Sequence, residues 1–116
     1  MTNTPPIWSL TATELTEGYR KGHFSPMDAV NAILDRISEV NPRINAVVTL
    51  DMSAARAAAD AASVRYQRNR PLGPLDGVPI TVKDNIHVKG LRSTWGSMLF
   101  ADYVPGEDEL PVARLR

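Results

Sequence analysis

A run of prolines and glycines that begins just after Arg70 divides this sequence into two parts. Five of the nine residues from 71 to 79 favour turns over helix, namely Pro71, Gly73, Pro74, Gly77 and Pro79. Upstream of the run, apolar residues recur at the three- and four-residue spacing of a helix. From Val78 to Val82 they alternate with other residues, which is the period of a strand. The sequence therefore predicts a helical first part, followed by a region of strands and loops.

Two helices of the first part have recognisable starts. Thr11 and Glu14 form a capping-box pattern, in which each side chain satisfies a backbone donor of the other residue. Ser25 is suited to cap the second helix, with Pro26 at its first position and Asp28 in its positive first turn. One apolar stripe predicts that the second helix is continuous; it consists of Val30, Ile33, Leu34, Ile37 and Val40.

The remaining elements of the first part are read from their boundaries. The pair Asn41-Pro42 is expected to end the second helix, because a residue that precedes proline is disfavoured in helical conformation. Residues 45–50 are expected to form a short extended run. Asp51 is expected to cap an alanine-rich helix that runs to about Gln67.

Composition excludes several classes of function. Thirteen basic and thirteen acidic residues cancel, so no net field favours nucleic acid or an anionic membrane. Cysteine is absent, and the two histidines are far apart in sequence, so neither a disulfide nor a metal site is expected. No apolar run approaches the length of a membrane span, and the first residues lack a secretory-signal pattern. We therefore expect no cofactor and a cytoplasmic location.

The most specific motif extends from Gly73 to Gly90. It reads Gly-Pro-Leu-Asp-Gly-Val-Pro-Ile-Thr-Val-Lys-Asp-Asn-Ile-His-Val-Lys-Gly and is followed by Ser-Thr-Trp-Gly-Ser at 93–97. This arrangement is similar to that of the amidase-signature family, in which a P-L-x-G-V-P-I-x-V-K-D-N segment leads into a T-x-G-S loop. The resemblance covers residues 10–116.

The resemblance implies an α/β fold in which a mixed sheet is covered by helices. The chain would supply the N-terminal helices and first strands of a single amidase-signature domain and would end before the fold is complete. Within it we expect a flexible tail at 1–8, a mainly helical part at 9–69 and a strand and loop region at 70–116. That last region would include the start of a further helix, opened by Asp108 or Glu109.

Lys83 is the candidate catalytic residue. Spacing alone favours a solvated lysine on the polar face of a strand, because most strand lysines are exposed. The resemblance favours a different role, since the matching lysine of the family belongs to a Ser–cis-Ser–Lys triad. A lysine acts as a general base only when it is neutral, and burial disfavours its charged form. Lys83 would then take a proton, through a bridging serine, from the serine that attacks the amide carbon.

Other polar residues near Lys83 allow more than one interpretation. Asp84 and Asn85 either brace the active-site loop through hydrogen bonds or simply end the strand. His87 is expected to lie on the surface. The resemblance assigns the nucleophile to none of the nearby loop hydroxyls, which belong to Ser93, Thr94 and Ser97. The two serines of the triad and the oxyanion hole would therefore lie outside the 116 residues, and this chain alone would be inactive.

The resemblance implies an enzyme that hydrolyses a linear, non-peptide carboxamide to a carboxylate and ammonia or an amine. One alternative is the A subunit of a glutamyl-tRNA(Gln)-type amidotransferase, and another is a non-catalytic fragment or interaction module. The expected partner is a small-molecule amide substrate, with neither direct nucleic-acid binding nor membrane binding. A homodimer formed through the N-terminal helices is also expected.

Overall fold

The computed structural model describes residues 4–116 and divides the chain into two compact units. The helical unit comprises Met52–Pro79 and the described part of Met1–Asn45, whereas the loop unit comprises Ala46–Asp51 and Ile80–Arg116. The α-helices are α1 (Ala12–Lys21), α2 (Pro26–Ile44), α3 (Met52–Gln67) and α4 (Leu110–Leu115). Within residues 4–116, two short 3-10 helices span Ile7–Ser9 and Met98–Phe100.

The expectation of an α/β fold is wrong: residues 4–116 form helices, turns and irregular segments and contain no strand. A strand requires a ladder of hydrogen bonds to a neighbouring strand, which an alternating sequence pattern cannot supply by itself. Backbone groups around the predicted strand make turn bonds instead. The amide of Val78 donates to the carbonyl of Leu75 at 3.1 Å, and the amide of Ile86 donates to that of Lys83 at 2.9 Å. Residues 45–50, expected to form a short extended run, are likewise not part of a strand.

The two predicted helix starts are confirmed, each with a complete capping box. The Thr11 side chain accepts a hydrogen bond from the amide of Glu14, whose carboxylate accepts one from the amide of Thr11. Ser25 and Asp28 form the same reciprocal pair at the start of α2, with Pro26 in the first turn. The start of each helix is therefore fixed by residues within three positions of its cap.

The predicted end of α2 is wrong, because the helix continues through Pro42 to Ile44. A proline in a helix forfeits its own N–H bond and crowds the preceding turn, but the cost is local. The helix ends at Asn45, which adopts the left-handed conformation at a φ of 49° and donates its N–H to the carbonyl of Asn41. Asparagine tolerates this conformation better than most residues do.

The core of the helical unit lies where α2 packs against α3 and where α1 meets both helices. One cluster joins Val30 and Leu34 of α2 to Ala59 of α3, and a second contains Leu15, Tyr19 and Ala29. Small side chains let the helix backbones approach closely at these contacts. The predicted apolar stripe of α2 is therefore core along part of its length.

A carboxylate anchors the proline- and glycine-rich run within the helical unit. Arg65 donates two hydrogen bonds to Asp76, from Nε to Oδ2 at 2.8 Å and from Nη2 to Oδ1 at 2.6 Å. The amide of Leu72 donates to Oδ2 at 2.9 Å, and the Tyr66 hydroxyl donates to the Asp76 carbonyl at 2.9 Å. The Arg65 guanidinium holds the pKa of this carboxyl below its usual value. We call this group the Asp76 clasp.

The run continues to Gly77, which is fixed against α1 and α2. The Tyr19 hydroxyl donates to the Gly77 carbonyl at 3.1 Å. The φ of Gly77 is 78°, and a β-carbon added there would lie 2.8 Å from Cγ of Pro26. Only glycine satisfies both the backbone conformation and the close approach.

The predicted tail at 1–8 is described only in part, because residues 1–3 lie outside the described chain. Ile7–Ser9 forms a 3-10 helix that packs against α2. The Trp8 ring lies 4.6 Å from the Arg36 guanidinium, a cation–π contact.

Backbone hydrogen bonds join two segments of the loop unit. Gly90 donates to Pro105 at 3.1 Å, Ser93 donates to Tyr103 at 3.0 Å, and the amide of Glu109 donates to His87 at 3.0 Å. Glu109 is also the N-cap residue of α4, in agreement with the predicted helix start. Hydrogen bonds between residues ten or more positions apart therefore hold these two segments of the loop unit together.

Candidate functional site

Lys83 lies in the loop unit at the start of a turn. Its carbonyl accepts the hydrogen bond from Ile86 that closes the turn, and its side chain is exposed. The residues that the structure describes therefore do not provide the burial that a catalytic lysine needs. Lys83 is followed directly by Asp84, whose carboxylate accepts two hydrogen bonds.

That carboxylate belongs to Asp84, and it holds the loop at 93–97. Oδ1 accepts a hydrogen bond from the Thr94 amide at 2.9 Å, and Oδ2 accepts one from the Thr94 hydroxyl. The Asp84 backbone carbonyl accepts two more, from the Ser93 hydroxyl and from the Trp95 amide, both at 3.1 Å. Of the two roles left open by the sequence, Asp84 performs the bracing one; Asn85 is exposed.

The electrostatics agree with this geometry. The hydrogen bonds from the Thr94 hydroxyl and amide lower the pKa of the Asp84 carboxyl below its usual value, with a smaller contribution from Arg92. Hydrogen bonds to the charged form of a carboxyl favour that form. Asp84 is therefore an anionic acceptor at neutral pH.

The three loop hydroxyls near Lys83 are all engaged in local structure. Ser93 is 1% exposed and its hydroxyl donates to Asp84. The Thr94 hydroxyl, besides its bond to Asp84, accepts one from the Gly96 amide at 3.1 Å. Ser97 caps the 3-10 helix at 98–100 by accepting from the Leu99 amide at 3.3 Å. Their contacts match those of structural turn residues.

The prediction of a surface position for His87 is wrong. The side chain is half-buried, and its ring lies 5.1 Å from Trp95 and 5.6 Å from Tyr103 between ring centroids. Phe100 completes this aromatic cluster, 4.9 Å from Trp95. The Nε2 atom of His87 is buried and makes no hydrogen bond within residues 4–116. The four rings come together through the loop contacts, which no local periodicity indicates.

The Asp84-held loop forms one wall of a shallow cleft of about 220 Å³ in the loop unit. Thr94, Gly96 and Ser97 line it from the loop, Arg92 adds a charged side chain, and Met98 contributes apolar surface. Within the described chain, Lys83 lies outside the lining of this cleft.

The described part of the chain offers neither a metal site nor a membrane span. Residues 4–116 contain no group of three acidic or histidine side chains placed to hold a metal ion. They also contain no helix with the length and apolar character required to cross a membrane.

The sequence predicts Lys83 as a candidate catalytic residue and leaves the role of Asp84 open. The missing information was its partner, because Thr94 is ten positions away and no helix or strand of the described chain links the two. A short polar residue directly after a candidate base, followed by a threonine-glycine loop, was the available signal.

The motif, the helices and the loop unit together define a class of protein: the chain belongs to the Amidase family, whose sequence model matches residues 28–116. It is 41% identical over 110 residues to the A subunit of the glutamyl-tRNA(Gln) amidotransferase of Salinispora arenicola. It is 38% identical over 110 residues to the protein of the same name from Moorella thermoacetica. These matches cover 95% of this chain but only 22% and 23% of the two relatives, so the chain spans less than a quarter of their length.

Solved structures give the same picture. A structure described as "An unexpected vestigial protein complex reveals the evolutionary origins of an s-triazine catabolic enzyme. Inhibitor bound complex." superposes with a TM-score of 0.84 at 33% identity. It is matched over 91% of this chain and 23% of its own. The crystal structure of PAM12A superposes with a TM-score of 0.87 at 28% identity, over 95% of this chain and 23% of its own.

Proposed function

We propose that the protein cleaves the C–N bond of a carboxamide and that Lys83 is the general base of the reaction. The observation that carries the proposal is the Val82-Lys83-Asp84-Asn85 segment joined to an Asp84-held threonine-glycine loop, in a chain of the Amidase family. The location of Lys83 at the start of a hydrogen-bonded turn gives its backbone a defined direction.

The proposed chemistry follows the family resemblance. The neutral Lys83 amine accepts a proton, relayed by a bridging serine, as a second serine attacks the amide carbon. The C–N bond then breaks, ammonia or an amine leaves with a proton, and water hydrolyses the acyl-serine to a carboxylate. Ser93, Thr94 and Ser97 are unsuited to these roles, because their hydroxyls already bond within the loop. We assign neither serine of the triad to these three positions.

A second candidate is favoured by the names of the curated relatives. Those at 41% and 38% identity are A subunits of glutamyl-tRNA(Gln) amidotransferases. In that case glutamine would be the amide that is cleaved, and the released ammonia would be passed on within a complex. Both candidates require Lys83 for cleavage, and they differ in the amide and in the fate of the ammonia.

Substitution of Lys83 in the protein expressed from its complete reading frame tests the shared chemistry. Lys83→Met removes the amine but keeps the length of the side chain, and we expect ammonia release to fall by about 10³-fold or more. Lys89→Met is the matched control, because Lys89 is also an exposed lysine of the loop unit. Its backbone amide donates to Asp108, a bond that the substitution leaves in place. Turnover of Lys83→Met within about tenfold of the wild type would contradict the proposal.

The choice of substrate separates the two candidates. Ammonia release from glutamine, raised by added partner subunits and transferable to glutamyl-tRNA, supports the amidotransferase. Release from simple aliphatic or aromatic amides without a partner supports the amidase.

A cytoplasmic location and a homodimer formed through the N-terminal helices remain part of the proposal. Fractionation of the source cells tests the location, and light scattering tests the homodimer.

A further inference from the structure

Asp84 uses both its side chain and its backbone carbonyl to hold one loop. Its two carboxylate oxygens bind the amide and the hydroxyl of Thr94, and its carbonyl binds Ser93 and Trp95. Ser93, the deepest of these residues, is tied in turn to Tyr103 by its own amide. The residue after Lys83 is therefore fixed to the most buried part of the loop unit.

The backbone of Lys83 is also held by a hydrogen bond. Its carbonyl accepts a hydrogen bond from the Ile86 amide, so the peptide group that joins Lys83 to Asp84 is itself held, and the carbonyl of the next peptide, that of Asp84, is hydrogen-bonded as well. A flexible lysine side chain delivers its amine to a defined point only if the backbone that carries it is rigid. The loop unit has few buried apolar residues, so hydrogen bonds must supply much of that rigidity.

We infer that Asp84 is a positioning residue: by binding Thr94 through its carboxylate, it fixes the backbone that carries the Lys83 amine. This inference rests on the proposed function of Lys83. Asp84 touches neither substrate nor reacting atoms in this scheme; it acts through the backbone of its neighbour. The competing explanation is that the Asp84–Thr94 hydrogen bonds only stabilise the loop or shape the cleft beside it. In that case their loss would change stability or substrate affinity rather than the rate of the chemical step.

The test measures kcat and KM for a Lys83-dependent amide substrate in the protein expressed from its complete reading frame. In Asp84→Asn, one acceptor oxygen is replaced by an amino group that cannot accept from Thr94. We expect kcat to fall by about 10-fold to 10²-fold with KM within about twofold, because a small misplacement of a catalytic group has effects of this size. Labelling of the nucleophile by a fluorophosphonate should slow in parallel. Asp102→Asn, at an exposed aspartate of the same unit, is the matched control.

Substitution of Thr94, the hydrogen-bond partner of Asp84, gives a second test, which decides between the two explanations if Asp84→Asn does not fold. Thr94→Val removes the hydroxyl at nearly constant shape and should lower kcat by about tenfold, whereas Thr94→Ser keeps the hydroxyl and should stay within about twofold of the wild type. In the Asp84→Asn, Thr94→Val double variant, kcat should fall by no more than about the larger of the two single-variant decreases, because both changes break the same Asp84–Thr94 interaction.

The outcomes separate the inference from the proposed function. If Lys83→Met abolishes turnover while folded Asp84→Asn keeps a kcat within about twofold of the wild type, the positioning role fails and the proposed function stands. Equal losses in Thr94→Ser and Thr94→Val, or a change confined to KM, would also overturn the positioning role. If Lys83→Met remains active, the proposed function itself fails.

Discussion

Replacing Asp76 by asparagine tests how strongly one carboxylate holds the proline- and glycine-rich run in the helical unit. The side chain of Asp76 is 5% exposed, and that of Arg65, its partner, is 29% exposed. The carboxylate accepts three hydrogen bonds, two from Arg65 and one from the amide of Leu72. Asparagine has a single acceptor oxygen, so at least one of the three donors loses its acceptor and faces an amino group instead.

The expected loss follows from the kinds of bond that are broken. A hydrogen bond to a charged group contributes about 1.5–3 kcal/mol, and a donor left without a partner adds a cost of similar size when it is buried. Arg65 is partly exposed, so water replaces some of what it loses and the electrostatic gain is screened. We therefore expect Asp76→Asn to lower the free energy of unfolding of the helical unit by about 2 kcal/mol.

The protein offers a fluorescent reporter for this unit. These 116 residues contain two tryptophans, of which Trp8 lies in the helical unit and Trp95 in the loop unit. In a Trp95→Phe background, urea unfolding followed by Trp8 fluorescence reports on the helical unit, and the expected loss shifts the midpoint by about 1–2 M. Asp60→Asn, at an exposed aspartate on α3, is the control and should change the free energy by less than about 0.5 kcal/mol.

The pH dependence has a definite sign. The pKa of Asp76 is lowered in the folded protein, mainly by Arg65, so the unfolded chain binds a proton more readily. The stabilisation is complete above the usual aspartate pKa of 3.8 and is lost as the pH falls through the lower, folded-state value. The difference between the wild type and Asp76→Asn should thus shrink on acidification from about pH 6 to about pH 2. A loss no larger than that of Asp60→Asn, or one that grows on acidification, would refute the reasoning.

Two further predictions concern positions where the chain has little freedom. Gly77→Ala should destabilise the helical unit by about 2 kcal/mol or more, because an L-residue is strained at that φ and its β-carbon would meet Pro26 at 2.8 Å. Gly73→Ala, which meets nothing within 4 Å, is the control; equal unfolding midpoints for the two variants would contradict the assignment. Ser25→Ala should cost about 1 kcal/mol through loss of the α2 capping box, measured by thermal denaturation. Ser38→Ala, in the exposed interior of α2, should have no destabilising effect, and a similar loss in both variants would show that the cap is not responsible.

Tertiary structure changed two predictions about secondary structure. The alternation around Ile80 fits a strand, yet a strand exists only where a second strand completes its ladder, and no residue between 4 and 116 does so. Pro42 was expected to stop α2, but the helix runs to Ile44, because the local cost of the proline is outweighed there and Asn45 provides an end in the left-handed region.

The sequence by itself determined the features whose causes lie within a few positions along the chain. The capping boxes at Thr11 and Ser25, the extent of the alanine-rich α3 and the N-cap of α4 are of this kind, since each depends on neighbours within about one helical turn. The lysine motif also belongs here, because the identity and order of its residues were enough to indicate the family that the sequence comparison confirms.

Only the tertiary structure decided which distant residues meet. Asp76 is bound by Arg65 eleven positions earlier, and Asp84 by Thr94 ten positions later, across turns that have no repeating pattern. His87, which the sequence placed on the surface, lies half-buried against Trp95 and Tyr103 for the same reason. Such contacts arise from chain reversals and hydrogen bonds between loops, so neither helical nor strand periodicity encodes them.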